Sequence, residues 1–237
     1  MHTTRPDLHC ETCSSRDKSI FCKLETVPLR DLDSHKVSNH YRRHQVLFYE
    51  GQQPSGLYCV NSGKVKLYKS GQDGRNMIVR MAGAGDLVGY RALFSGEPYH
   101  ATAEMVDDGD VCFVDKKTLF SLVAEDPALA LRALQLLSHE LGDAEEKLKN
   151  MSQKSVKERL AELLLIFKES VGQPVADGIL LEQRLTREEI GQLLGSASET
   201  VIRMLHEFQD NKWLRLDGKK IILTNIPALT DFAKLEN

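Results

Sequence analysis

Residues Thr186 to Asn211, TREEIGQLLGSASETVIRMLHEFQDN, constrain the fold of this chain more than any other stretch. Thr186 and Glu189 stand three apart, the spacing of a capping box, in which the hydroxyl and the carboxylate satisfy free backbone N–H groups and start a helix. That helix is predicted to run through Leu194, and Gly195 then supplies a left-handed turn. A second helix follows within a few residues, which is helix-turn-helix spacing. Ala197 has no side chain that can cap it, so Ser196, paired with Glu199 at the same three-residue spacing, is the alternative cap. Val201, Leu205 and Phe208 fall on one face for a core, leaving Ser198, Glu199, Thr200, Ile202 and Arg203 toward the other. Trp213 to Leu216 and Lys220 to Leu223 flank Asp217-Gly218, a dipeptide that favours a type I′ hairpin. Helix, turn, helix and hairpin make a winged helix-turn-helix.

The residues before this unit have a different rhythm. From Gln45 to Asp115, short apolar or alternating runs such as QVLFYE, LYCV, KVKLYK, MIVRM, LVGY, ATAEMV and VCFV are punctuated by glycine. That spacing predicts an antiparallel sandwich or jelly roll rather than βαβ units. Val65 and Leu67 alternate with Lys64 and Lys66, as on a strand with one solvated face. After Asp115 a helical period takes over through Ser152. Leu134, Leu137, Leu141, Ala144, Leu148 and Met151 recur at the three- and four-residue steps of a coiled-coil seam, predicting a dimer interface. The alternative is a single amphipathic helix lying on its own β-domain. Another helix is expected from Lys154 to Ser170, then a breaker loop carrying Gly172, Pro174 and Gly178. The fold class is therefore α+β: an N-terminal jelly-roll β-roll, a long dimerisation helix and a C-terminal winged helix-turn-helix. The expected boundaries are residues 1–26, a cysteine-bearing segment; 27–124, the β-roll; 125–152, the dimerisation helix; and 153–237, the winged unit.

Net charge bears on partners. At −3 over 237 residues the chain as a whole carries no attraction for a polyanion, so nucleic-acid binding must come from a local surface. The second helix offers one. Arg203 can grip guanine O6 and N7 in the major groove of double-stranded DNA, and Glu199 can accept from cytosine N4. The alternative for this pair is a surface ion pair one turn apart. Arg184, Arg187, Lys212, Lys219 and Lys220 are candidates for phosphate contacts. Enzyme signatures are missing: there is no phosphate-binding glycine loop, G-x-S-x-G elbow or H-E-x-x-H helix. No apolar run approaches the length that spans a bilayer, and the N-terminus has no apolar signal core, so a cytoplasmic protein without membrane partners is expected. In that reducing compartment five cysteines (Cys10, Cys13, Cys22, Cys59 and Cys112) argue for metal ligation or plain burial rather than structural disulfides. Cys59, within LYCV, reads as a buried small hydrophobe.

SGKVKLY (Ser62 to Tyr68), AGDLVGY (Ala84 to Tyr90), KERLAELL (Lys157 to Leu164) and LTREEIGQLLGSASETVIRML (Leu185 to Leu205) together resemble the CRP/FNR family of bacterial transcription regulators. The resemblance covers Cys10 to Ala233. It implies a cyclic-nucleotide-binding-like β-roll, a homodimer, palindromic promoter DNA with TTGA-type half-sites, and RNA polymerase as a partner. Cyclic-AMP receptors of the family carry a Gly-Glu pair where Gly85-Asp86 stands and an Arg-Ser pair further on; here His100 and Ala101 fall near the second pair. A cyclic phosphate would lack its guanidinium, so cyclic-nucleotide binding is disfavoured.

The cysteines resemble the FNR branch, which holds a 4Fe-4S cluster with three N-terminal cysteines and one distant cysteine. Cys10, Cys13, Cys22 and Cys112 match that pattern, with eight residues between Cys13 and Cys22, more than in the best-known member. The resemblance implies that these four thiolates ligate the iron. It also implies oxygen or nitric oxide as the signal. Zinc ligation, helped by His9 beside Cys10, and a disulfide switch at the C-x2-C pair stay open. So does a member of the family without a cluster, responding to a small ligand or haem.

Overall fold

The computed structural model describes residues 8–182 and 185–234. Contacts divide the described chain into two compact units, parted between Gly142 and Asp143.

In the first unit, two short 3-10 turns, Cys10–Thr12 and Arg16–Lys18, lead into α1 (Thr26–His35). Eight strands follow: β1 (Val37–Tyr41), β2 (Val46–Phe48), β3 (Gly56–Val60), β4 (Val65–Ser70), β5 (Asn76–Ala82), β6 (Leu87–Val88), β7 (Thr102–Met105) and β8 (Gly109–Asp115), with a one-turn-and-a-half helix α2 (Tyr90–Ser95) before β7. They build two antiparallel four-stranded sheets, in the orders β1-β8-β3-β6 and β2-β7-β4-β5. This is the expected jelly roll. Alternation puts Leu57, Val65, Ile78, Ala103 and Met105 fully inside, because side chains change face at every residue. The simple solvated face expected for β4 is corrected at Lys66, which is buried and paired with Glu104 at 3.1 Å. A buried ammonium needs such a counter-charge.

The predicted continuous helical stretch after Asp115 is broken. Asp115 caps α3 (Lys116–Glu125) through Thr118, and the chain breaks at Asp126 before restarting as α4 (Pro127–Gln153), with proline where its missing N–H is harmless. Leu129 and Ala133 of α4 are buried in the core of the first unit, beside Ile20, Phe21, Leu24, Leu29 and Leu119.

In the second unit, Ser155 and Glu158 form a capping box that starts α5 (Val156–Val171). The expected breaker loop is corrected: Gly172–Val175 and Gly178–Leu181 are strands β9 and β10. They join β11 (Leu214–Asp217) and β12 (Lys220–Leu223) in one sheet of order β11-β12-β10-β9. Gly178, at φ +151°, passes so close to the Leu223 carbonyl that any Cβ would collide with it, which is why the pairing tolerates only glycine there. Between them lie α6 (Arg187–Leu194) and α7 (Ser198–Asp210), and α8 (Ile226–Ala233) closes the unit. Leu160, Leu164, Ile190, Val201, Leu205, Phe208, Ile221 and Leu229 share one core. Among the described residues no helix is long and apolar enough to cross a membrane.

Candidate functional site

The helix-turn-helix forms as its sequence dictates. The Thr186 hydroxyl accepts from the Glu189 N–H at 3.1 Å and Glu189 returns the bond to the Thr186 N–H at 2.8 Å. Gly195 turns the chain at φ +64°. The Ser196 cap is corrected: α7 starts with Ala197 in the cap position and no side-chain bond there, so the α6–α7 turn and core packing fix its start. Val201, Met204, Leu205 and Phe208 are buried, whereas Glu199, Ile202 and Arg203 are exposed and Ser198 and Thr200 half-exposed. Arg203 pairs with Glu207 at 3.2 Å, not with Glu199.

The wing also differs in detail from expectation. Asp217 pairs with Lys220, so Gly218 and Lys219 are the two turn residues. Only Gly218 has positive φ, +58°, which is the type II′ pattern rather than I′. Arg187 donates to the Lys219 carbonyl at 3.3 Å, tying the start of α6 to the wing tip. Lys212, Lys219 and Lys220 are exposed. Arg184 lies outside the described residues. Missed in the sequence is Arg159 on α5, which donates to the Met151 and Lys154 carbonyls at the end of α4 and to Leu194 at the end of α6. It satisfies carbonyls that helix ends leave open. A lone arginine within an amphipathic helix gives no sign of such partners.

Along α4, Leu134, Leu141 and Leu148 are 59%, 61% and 69% exposed. Ala144 is exposed as well, and Met151 is at the edge of exposure. Leu137 instead packs partly against the core of the first unit. Of the carboxylates on this helix, Glu140 is matched by Arg80 of β5 at 2.6 Å and Glu146 by Lys149 at 2.8 Å.

The second constellation is sulfur. Cys10, Cys13, Cys59 and Cys112 line one cavity of about 50 Å³, together with Lys36, Asn61 and Gly85. Cys112 on β8 lies directly opposite Cys59 on β3. Two tethers hold the C-x2-C segment over them. Asp33 of α1 accepts from the Cys10 N–H at 2.7 Å, and the Cys13 thiol donates to Asn61 at 3.3 Å. Lys36 binds Asp33 at 2.6 Å and donates to the Leu8 carbonyl. Burial would raise the Asp33 carboxyl, but the Lys36 and Cys10 hydrogen bonds overcome it and hold the group well below the usual carboxylate range. Burial pushes the Cys10 thiol up to about 12 and raises Cys59 and Cys112, with the Lys36 ammonium opposing each shift. Gly85, at φ +96°, lets Lys18 and Ser15 lie against it.

Cys22 lines a different, neighbouring pocket of about 290 Å³, with Asp86, Arg132 and Gln135. Three of the four pattern cysteines are thus brought together, and the further thiol beside them is Cys59, which packs against the core of the first unit. Among the described residues no three His, Cys, Asp or Glu side chains already stand at metal-binding distances.

Comparison with known proteins bears on both constellations. A cyclic nucleotide-binding domain matches residues 38–126, and a Crp-like helix-turn-helix domain matches residues 158–232. The fumarate and nitrate reduction regulatory protein of Escherichia coli (strain K12) is 30% identical over 227 residues, covering 95% of this chain and 90% of that protein. The chain belongs to the CRP/FNR family of DNA-binding transcription regulators. Other members are similar over nearly as much. The CRP-like cAMP-activated global transcriptional regulator of Mycobacterium tuberculosis (strain ATCC 25618 / H37Rv) is 28% identical over 215 residues, 91% of this chain and 96% of that one. The structure of FixK2 from Bradyrhizobium japonicum superposes with a TM-score of 0.73 at 27% identity, covering 85% of this chain and 99% of that chain. CRP/FNR regulators bind DNA and act as dimers. The family's regulators are not enzymes.

Proposed function

We propose that this chain is a cytoplasmic homodimeric transcription regulator that reads palindromic DNA with TTGA-type half-sites while an N-terminal iron–sulfur cluster, of the 4Fe-4S kind, is in place. The observation that carries the reading is the meeting of Cys10, Cys13 and Cys112 at one cavity, in a segment packed on the dimerisation helix. The donor set fits in kind, since thiolates are the soft ligands an iron–sulfur centre needs and Cys10, Cys13 and Cys112 share the cavity. The family resemblance nominates Cys22 as the fourth ligand beside those three. When bound, the cluster supplies sensitivity to oxygen or nitric oxide.

The protein's own residues carry the rest. Ile20, Phe21 and Leu24, between the N-terminal cysteines and α1, are buried in the core that includes Leu129 and Ala133 of α4. Arg132 of α4 donates to the Ile20 carbonyl at 2.6 Å. A rearrangement of the ligand segment therefore bears on α4 directly, beside Leu137 and the exposed seam of Leu134, Leu141, Ala144, Leu148 and Met151. That seam pairs with a second copy, and two recognition helices then meet half-sites about one helical turn apart. At each half-site Glu199 and Arg203 read base edges, with Ser198, Thr200 and Ile202 around them, while Arg187, Lys219 and Lys220 meet phosphate. RNA polymerase is the expected partner on the promoter. Cyclic nucleotide is disfavoured: His100 pairs with Glu97 on the surface at 2.9 Å, and the guanidinium of Arg80 is already matched by Glu140. A second reading, a regulator without a cluster that answers to a small ligand, haem or thiol oxidation, draws on the larger pocket beside Gly85 and Asp86.

The test is iron and acid-labile sulfide on chain purified without oxygen, with a visible spectrum before and after air. About four irons per chain, with absorption that bleaches and a parallel loss of dimer and of palindrome binding, is the expected result. A colourless chain after anaerobic reconstitution overturns the cluster reading and leaves DNA binding intact.

A further inference from the structure

We propose that Arg16 is a positioning residue of the thiol cavity, where its guanidinium supplies the counter-charge, and its Nε–H a hydrogen-bond donor, for the negatively charged centre that Cys10, Cys13 and Cys112 help to hold. The inference rests on the cluster reading and goes beyond it by naming the group that balances the charge of the thiolates.

The eight residues between Cys13 and Cys22 leave room for a 3-10 turn, and Arg16 is its first residue. Its backbone N–H donates to the Cys13 carbonyl at 3.2 Å. The side chain turns back to the other end of the C-x2-C segment, where Nη1 donates to the Cys10 carbonyl at 3.1 Å. One residue thus fastens both cysteines, and it lines the same cavity as their thiols. Its Nε atom is buried and has no hydrogen-bond partner among the described residues. A buried donor left open costs free energy, and more so when its group is charged.

The charges at this cavity are also unbalanced. The Lys36 ammonium is matched by Asp33 at 2.6 Å. Arg16 stays charged at any pH the protein meets, and among the described residues its side chain bonds only the Cys10 carbonyl. Cysteine thiols are neutral at neutral pH, so the wall of the cavity carries a net positive charge in the metal-free chain. Metal binding displaces the thiol protons to solvent and leaves the sulfurs negative. A centre formed on these cysteines therefore supplies both things Arg16 lacks, an acceptor and an opposite charge. Hydrogen bonds and positive charge at the sulfurs in turn make an iron–sulfur centre harder to oxidise.

The experiment uses the full chain, reduced and without oxygen, as wild type, Arg16→Gln and Arg16→Lys. Glutamine keeps a side-chain N–H for the Cys10 carbonyl and lacks the charge, whereas lysine keeps the charge. Each chain is melted by circular dichroism before and after reconstitution with ferrous iron and sulfide. Iron retention against a chelator, midpoint potential and the rate of bleaching in air are read on the reconstituted chains. Metal-free Arg16→Gln is expected to melt at or above the wild-type temperature, because the charge it removes has no partner there. Once reconstituted, it is expected to hold iron about 10–100-fold less tightly, with a lower midpoint potential and faster bleaching. Arg16→Lys is expected to stay close to wild type in potential. Should Arg16→Gln match the reconstituted wild type in potential and iron retention, or should both variants lower the melting temperature equally with and without iron, Arg16 is only a brace for the Cys10 carbonyl. Either result overturns the proposal and leaves the cluster reading standing. A wild type that takes up no iron and sulfide overturns the cluster reading and the proposal with it. Should Arg16→Gln fail to fold, Arg16→Met, which keeps the length of the stem, replaces it under the same criteria.

Discussion

Replacing Arg203 with alanine separates base reading from folding, because the structure makes the two effects very unequal. The Arg203 side chain is 69% exposed and its partner in the chain is Glu207, one turn on in the same helix. An exposed pair at this spacing is screened by water, so its loss leaves the unfolding midpoint of the second unit nearly unchanged, and freeing Arg203 for DNA costs little. A bidentate contact to guanine contributes about 1–3 kcal/mol of discrimination, and a dimer carries two such helices, giving about 2–6 kcal/mol per complex. The affinity for a palindrome with TTGA-type half-sites is therefore expected to fall between about 30-fold and about 10⁴-fold. Binding to a scrambled duplex, which depends on phosphate contacts, is expected to hold, with the same dependence on salt. Lys220→Ala supplies the contrast: a similar loss on both duplexes and a salt slope smaller by about one per phosphate contact removed. Fluorescence anisotropy at several salt concentrations reads all of this. Equal losses on the two duplexes for Arg203→Ala, or a loss that tracks a lower melting temperature, refutes the placement of α7 at base edges.

Other perturbations follow from the same geometry. Leu141→Ala removes two exposed leucines from a dimer seam, at about 1.5–3 kcal/mol each, and is expected to raise the dimer dissociation constant at least about a hundredfold in sedimentation experiments while leaving monomer stability unchanged. Glu189→Ala empties a buried cap of α6 and is expected to cost about 1–2 kcal/mol in urea unfolding of the second unit. Asp33→Asn loosens the segment held over the thiol cavity, so Cys10 is expected to alkylate faster with little change in global melting. Hydrogen bonds from Lys234 and Ser155 hold the Glu158 carboxyl down at about 2 from an ordinary 4.5, so its contribution is complete above pH 4.5 and fades as the pH falls toward 2. Glu158→Gln is accordingly expected to melt below wild type at neutral pH, with the gap closing across that acid range.

What the sequence made legible is what local chemistry decides. A threonine and a glutamate three apart place the start of α6, and the glycine after Leu194 ends it, because both act on backbone groups within a turn of themselves. Alternation in β3 to β8 announced a jelly roll, since the face of each side chain follows from its parity. The same logic misread Lys66, whose burial depends on Glu104, a residue of another strand. It also read the stretch around Gly172 and Gly178 as a breaker, because those glycines serve a hairpin that exists only by pairing with β12. Leu137 divides from the other seam residues for a related reason: the first unit's core takes it, and heptad spacing cannot say which neighbour claims a leucine.

The thiol cavity marks the limit of that logic more sharply. The family resemblance nominated Cys10, Cys13, Cys22 and Cys112, and three of these do meet. Cys59 stands 53 residues before Cys112, and only the register of β3 on β8 makes them neighbours. A shift of that register by one residue would turn the Cys59 thiol to the opposite face, so nothing within LYCV itself shows that its cysteine meets others. For Cys22 the deciding residues are its neighbours: Ile20 and Phe21 are buried apolar side chains, and burying them aims the turn that carries Cys22 toward Arg132 and Gln135. The same two side chains that keep Cys22 from the cavity are those through which the N-terminal segment grips α4. Any movement of the ligand segment that draws on Ile20 or Phe21 therefore reaches α4 beside Leu137, which is how events at the cysteines bear on the exposed leucines of that helix.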